Sequence, residues 1–207
     1  MIEQWEILFK SKLDVQTVGF LGWKAEYMIL IKNYESAKKA FYQIEWIYNN
    51  GLVVPPTIGS LHLYPKALYD IILLEEFKNT DNKPTLRESI KQAGKSCKNL
   101  LKNAKKSPRI RTRALRLLGQ YYWIIGKQSK AVKHWKHSIG IGKQLSQLPD
   151  LARTYMEIGK RFLEEKSKYK ELNGISAEGY LEIARTMFQE MNLQWDLDEL
   201  EKINAGV

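Results

Sequence analysis

The chain is predicted to be all-α, a row of about ten helices folded into antiparallel hairpins. Three observations carry that prediction. Apolar residues recur at three- and four-residue spacing along nearly all of the 207 positions, and no segment alternates for long. Clusters of Gly, Pro and Asn cut the chain into pieces about one helix long. The connections are short, so consecutive helices must lie antiparallel.

The helical period predicts helices over 2–13, 16–31, 34–49, 59–78, 84–105, 109–125, 128–146, 149–166, 175–190 and 194–203. The sharpest breaks are Gly51-Leu52-Val53-Val54-Pro55-Pro56, Asn79-Thr80-Asp81-Asn82 and Ser107-Pro108. The first suggests a bend between N-terminal helices in 1–52 and a helical-repeat arm in 57–207, unless the two form one continuous stack.

Internal repetition favours an open stack over a closed bundle. Leu115, Leu118, Gly119 and Tyr122, then Ala131, Trp135 and Ser138, form a helix pair with small residues where the two helices would touch. Tyr155, Ile158, Gly159 and Phe162, then Ala177, Leu181 and Ala184, repeat the pattern, with about six extra residues in the loop 167–174. A weaker copy runs through Leu21, Ala25, Met28, Ala37, Phe41 and Ile44. These positions resemble the tetratricopeptide repeat, which implies a right-handed solenoid of stacked hairpins.

The stretches Lys130–Ile139, Leu151–Gly159, Leu172–Glu178, Tyr180–Ala184 and Met191–Leu197 carry a further resemblance. Over about 83–203 the chain resembles the C-terminal helical-repeat arm of bacterial signalling proteins that join a nucleotide cyclase or kinase domain to an ATPase module. The resemblance implies a regulatory, protein-binding arm. No catalytic or ATP-binding motif of that family is present, so no catalytic residue is carried over.

Charge is unevenly spread. Between Lys83 and Leu148 there are 17 Lys and Arg against one acid, Glu88, whereas 150–207 holds 8 basic and 12 acidic residues. A positive middle speaks to partners rather than to fold. A lone cysteine, Cys97, an acid in place of a positive N-terminal region and short apolar runs lead to the expectation of a cytoplasmic protein without a membrane span.

Enzyme chemistry is not expected, and neither is a cofactor. Gly140-Ile141-Gly142-Lys143 lacks the spacing of a phosphate loop. His134 and His137 stand among Lys133 and Lys136, which would repel a metal, so a solvated or packing role is expected for them. Cys97 falls on the apolar face of its helix with Leu86, Ile90, Ala93, Leu100, Leu101 and Ala104. The tryptophans read as packing: Trp123 and Trp135 within one hairpin, and Trp5, Trp23, Trp46 and Trp195 facing neighbouring helices.

Two binding surfaces are expected. Arg87, Lys91, Lys95, Lys98, Lys102 and Lys105 fall on one helix within an arc of about 80°. This basic stripe is either a solvated face or a docking surface for an anionic partner. In the tetratricopeptide family, peptides are held by positions that correspond to Arg113, Arg116, Gln120, Arg153, Met156 and Lys160. Such a groove would suit a carboxylate-rich peptide. The competing expectation is that the C-terminal helix, with Asp196, Asp198, Glu199 and Glu201, covers the groove itself. The implied partner is an acidic protein or peptide, or an upstream catalytic or ATPase domain of the same protein. The alternatives are nucleic acid, which lysine would attract but which finds no aromatics on the stripe to stack bases, and a small ligand or peptide held inside the curve.

Overall fold

A computed structural model of the chain describes residues 14–78 and 83–204. The helix expected over 2–13 lies outside the described residues. The described residues form nine α-helices and one small strand pair: α1 Val15–Leu30, α2 Tyr34–Asn49, α3 Pro56–Lys78, α4 Lys83–Ala104, α5 Arg111–Ile124, α6 Gln128–Gln144, α7 Leu148–Leu163, β1 Glu171–Leu172, β2 Ile175–Ser176, α8 Ala177–Glu190 and α9 Gln194–Asn204. The described residues are all-α apart from that pair. It divides into two compact units, one up to Ile110 and one from Arg111 onward.

Local chemistry sets the helix ends. Asp14, Asn33 and Ser176 each accept a hydrogen bond from the backbone N–H three residues on, at 2.7, 3.1 and 3.2 Å, which caps α1, α2 and α8. Gly51 and Gly126 close α2 and α5 with φ of +87° and +77°, a conformation that costs glycine little.

In the first unit α1 packs on both α2 and α3, and α3 packs on α4. Val18, Leu21, Ala25, Ile29, Ala37, Phe41, Ile44 and Ile47 form the core of the α1–α2 pair. Gly22 does something the repeat pattern does not predict. It faces α3 rather than α2, and a Cβ there would lie 2.7 Å from the carbonyl carbon of Leu61. Four residues further along α3 stands the buried Pro65, which has no N–H to offer the Leu61 carbonyl. The bare Cα of Gly22 lets α1 close on the carbonyl that the proline leaves over.

In the second unit α5 packs on α6 and α7, α6 on α7, and α7 on α8 and α9. The small residues sit where the sequence pattern asks for them. A Cβ on Gly119 would lie 2.5 Å from Trp135 Cδ1, and one on Gly159 would lie 2.6 Å from Leu181 Cγ. The two hairpins thus share one contact, a first-helix glycine under a large second-helix side chain. Around it lies an aromatic core in which the rings of Trp123, Trp135, Phe162, Tyr169, Tyr155 and Tyr180 touch in series.

Three expectations are corrected. The helix expected from 175 begins at Ala177, because Glu171–Leu172 and Ile175–Ser176 pair as an antiparallel hairpin across Asn173 and Gly174. The helix expected from 109 opens with a 3₁₀ turn, Pro108–Ile110, before α5. Trp23, Trp46 and Trp195 do not pack inward; they are 61, 59 and 49% exposed, whereas Trp123 and Trp135 are buried.

Candidate functional site: the basic face of α4

The α4 sequence alternates small apolar residues with lysine at helical spacing. Ala93, Cys97, Leu100 and Ala104 are buried against α3. Polar anchors fix the rotation of the helix. On α3, the buried carboxylate of Asp70 accepts from Ser96 Oγ at 2.5 Å and from Gln92 Nε2 at 3.4 Å, while Lys66 on its own helix donates at 2.5 Å. Nearer the C-terminal end, Asn103 Nδ2 donates to the Pro56 carbonyl at 2.9 Å. Three donors thus satisfy the buried carboxylate of Asp70, and removing them would leave it without compensation. Cys97 is buried as expected, and desolvation first, then the neighbouring charge of Asp70, drives its thiol far above the usual range.

With that face pinned, the stripe points outward. Arg87, Lys91, Lys95, Lys98, Lys102 and Lys105 are all exposed. At 1.5 Å per residue the five from Arg87 to Lys102 cover about 22 Å of α4 in a nearly straight line, one cation every 5 Å or so, and Lys105 follows in the turn after the helix. No ion pair among the described residues uses any of the six. The face holds no exposed apolar or aromatic residue between the cations. It can attract a polyanion but has no stacking platform, and a cavity lined by Pro84, Arg87, Glu88 and Lys91 opens at its N-terminal end.

The groove residues meet a different fate. Arg113 Nε donates to Asp150 at 2.8 Å. Arg153 forms a two-pronged pair with Asp196 of α9, at 2.7 and 2.8 Å, and reaches Asp150 at 3.8 Å. Arg116 is buried, Gln120 and Met156 are half-buried, and Lys160 is exposed. Of the four acids expected to cover the groove, one does: Asp198 accepts from Gln194, Glu199 pairs with Lys202, and Glu201 lies 3.8 Å from Arg185. Asp150, which sequence reasoning passed over, is the second carboxylate of the groove.

Among the described residues no group of three or more metal-ligating side chains exists. His134 stacks on Tyr122, with ring centroids 5.3 Å apart and planes 6° apart. Its pKa is lowered by burial, then by His137, Lys133 and Lys130. His137 is exposed. No helix among the described residues is long and apolar enough to cross a membrane.

Comparison with protein-family models, with curated proteins and with solved structures finds no match for this chain.

Proposed function

We propose that the chain is a non-catalytic protein-interaction arm that docks acid-rich protein segments on the basic face of α4. The observation that carries this reading is the row of six exposed, unpaired cations on a helix whose opposite face is pinned by Asp70, Ser96 and Asn103. Maintaining such a row uncompensated costs self-repulsion, and an acidic partner relieves it. Lysine suits general attraction rather than geometric readout, which favours a flexible carboxylate-rich segment over a sequence-read duplex. The groove is the lesser candidate, because two of its three arginines, Arg113 and Arg153, already hold Asp150 and Asp196.

Two further features support a stack of tetratricopeptide-like hairpins as the scaffold. First helices α5 and α7 adjoin, and the Gly119–Trp135 contact recurs as Gly159–Leu181. The resemblance to signalling arms makes a regulatory role the natural setting for such docking.

The test is fluorescence anisotropy with a labelled glutamate-rich peptide and with a labelled DNA duplex at low and near-physiological salt. The reading expects the peptide to bind and Lys91→Glu with Lys98→Glu to weaken it at least tenfold. Peptide binding that this double variant leaves unchanged refutes docking on α4. Duplex binding that outlasts peptide binding as salt rises replaces the protein partner with nucleic acid.

A further inference from the structure

Helix α6, in the second unit, contains no acidic residue and five side chains that carry or can carry positive charge on its outer surface: Lys130, Lys133, Lys136, His137 and Lys143. Lys133, Lys136, His137, Gly140, Lys143 and Gln144 stand at positions i, i+3, i+4, i+7, i+10 and i+11 along one helical face, and all six are exposed. None of the ion pairs among the described residues involves these lysines. The outer face of α6 is therefore a second continuous cationic strip, independent of α4.

Gly140 sits in the middle of this strip and has no explanation within the fold. The glycine two residues on, Gly142, is filled in by its neighbours: a Cβ there would lie 3.2 Å from Leu151 and 3.3 Å from Thr112. A Cβ on Gly140 would meet nothing within 4 Å. A glycine in an exposed helix interior weakens the helix relative to alanine, and no turn or left-handed conformation requires one here. What it provides is a bare stretch of backbone flanked by cations. A second helix can approach closest where the crossing residue has no side chain, with its acidic residues reaching the lysines on either side.

The geometry points to the outer face of α6 as a docking site for an acidic helix of a partner protein, which crosses α6 at Gly140 and pairs its carboxylates with Lys133, Lys136 and Lys143. Charge complementarity selects an acidic partner, and the open floor at Gly140 selects a helix over a flexible chain, since a flexible chain gains nothing from one missing methyl group. This site stands whether or not α4 binds acidic segments.

The experiment uses the full chain carrying Lys91→Glu and Lys98→Glu, so that α4 cannot capture the probe. The probe is a labelled, alanine-rich helical peptide of about 20 residues with glutamates at alternating three- and four-residue spacing. A peptide of the same composition interrupted by prolines and a DNA duplex serve as competitors. The helical peptide is expected to bind at least tenfold more tightly than either. Gly140→Gln is expected to weaken it at least tenfold while leaving the melting temperature equal or higher, because the new side chain enters open space. Lys133→Glu with Lys136→Glu is expected to abolish binding. Unchanged affinity in Gly140→Gln, or a proline-interrupted peptide or duplex that binds as well as the helix, overturns the proposal.

Discussion

Asp196 is the residue on which the state of the groove turns. It is almost fully buried and takes two hydrogen bonds from Arg153, whose side chain is 26% exposed and also lies 3.8 Å from Asp150. Removing one partner of a fully buried pair costs about 3–5 kcal/mol. Here the arginine keeps partial access to water and a second carboxylate, which lowers the expected cost of Asp196→Ala to about 2 kcal/mol. For a chain of this size that corresponds to a melting temperature lower by about 4–8 °C. The same change takes from Arg153 its two-pronged partner, so a glutamate-rich peptide should gain affinity for the groove, and adding Arg153→Ala should remove the gain. Circular dichroism melts and urea unfolding read the first effect; peptide anisotropy in a chain carrying Lys91→Glu and Lys98→Glu reads the second. Stability within about 0.5 kcal/mol of the parent would refute the assignment of Asp196 as the clamp between α7 and α9.

Three more outcomes follow from the packing. Gly119→Ala forces a methyl group to within 2.5 Å of Trp135 Cδ1 and should cost about 2–3 kcal/mol in urea unfolding, against a gain from helix propensity of less than 1 kcal/mol. His62, which faces Tyr48 OH at 3.4 Å, has its pKa pushed by burial down to about 4 from 6.5. The unfolded chain therefore takes up a proton that the folded chain refuses. The stability due to neutral His62 is complete above pH 6.5 and is lost as pH falls to about 4, to a total of about 3 kcal/mol. His62→Leu should flatten that slope in denaturant titrations, leaving the smaller contribution of His134. Cys97 should resist thiol reagents in the folded chain and react only as the first unit unfolds, because its thiolate is strongly disfavoured by burial; fast labelling under native conditions would contradict this.

Helices were legible because the three-and-four spacing of apolar residues repeats over several turns. The contact of Gly119 with Trp135 was legible because a small and a large residue stand at fixed offsets in two successive copies. The strand pair was missed because two residues per strand give no alternation to read, yet the signal was present. Asn173-Gly174 is the dipeptide that favours a tight hairpin turn, and both residues take positive φ, +56° and +75°. Trp23 was assigned inward for another reason. Helix α1 is apolar on nearly every side, with Lys24 and Glu26 its only charges, so periodicity does not say which face meets its neighbours. The stripe on α4 needed only local spacing and could be drawn from sequence. The groove could not, because Asp150 lies 37 residues from Arg113, and Asp196 lies 43 from Arg153. Pairing across such distances depends on which helices adjoin.

The pinning of α4 by Asp70 and Asn103 has a consequence for how the molecule responds to its medium. A helix that cannot rotate cannot turn its six cations toward any carboxylate of its own, so their mutual repulsion is relieved only by ions from outside. Added salt screens that repulsion and should firm up the first unit. In the second unit the same salt relieves repulsion along α6 but also weakens, to the smaller extent that burial allows, the pairs of Arg113 and Arg153 with Asp150 and Asp196. A single change in ionic strength thus acts on the first unit through the α4 row and on the second through two opposing effects.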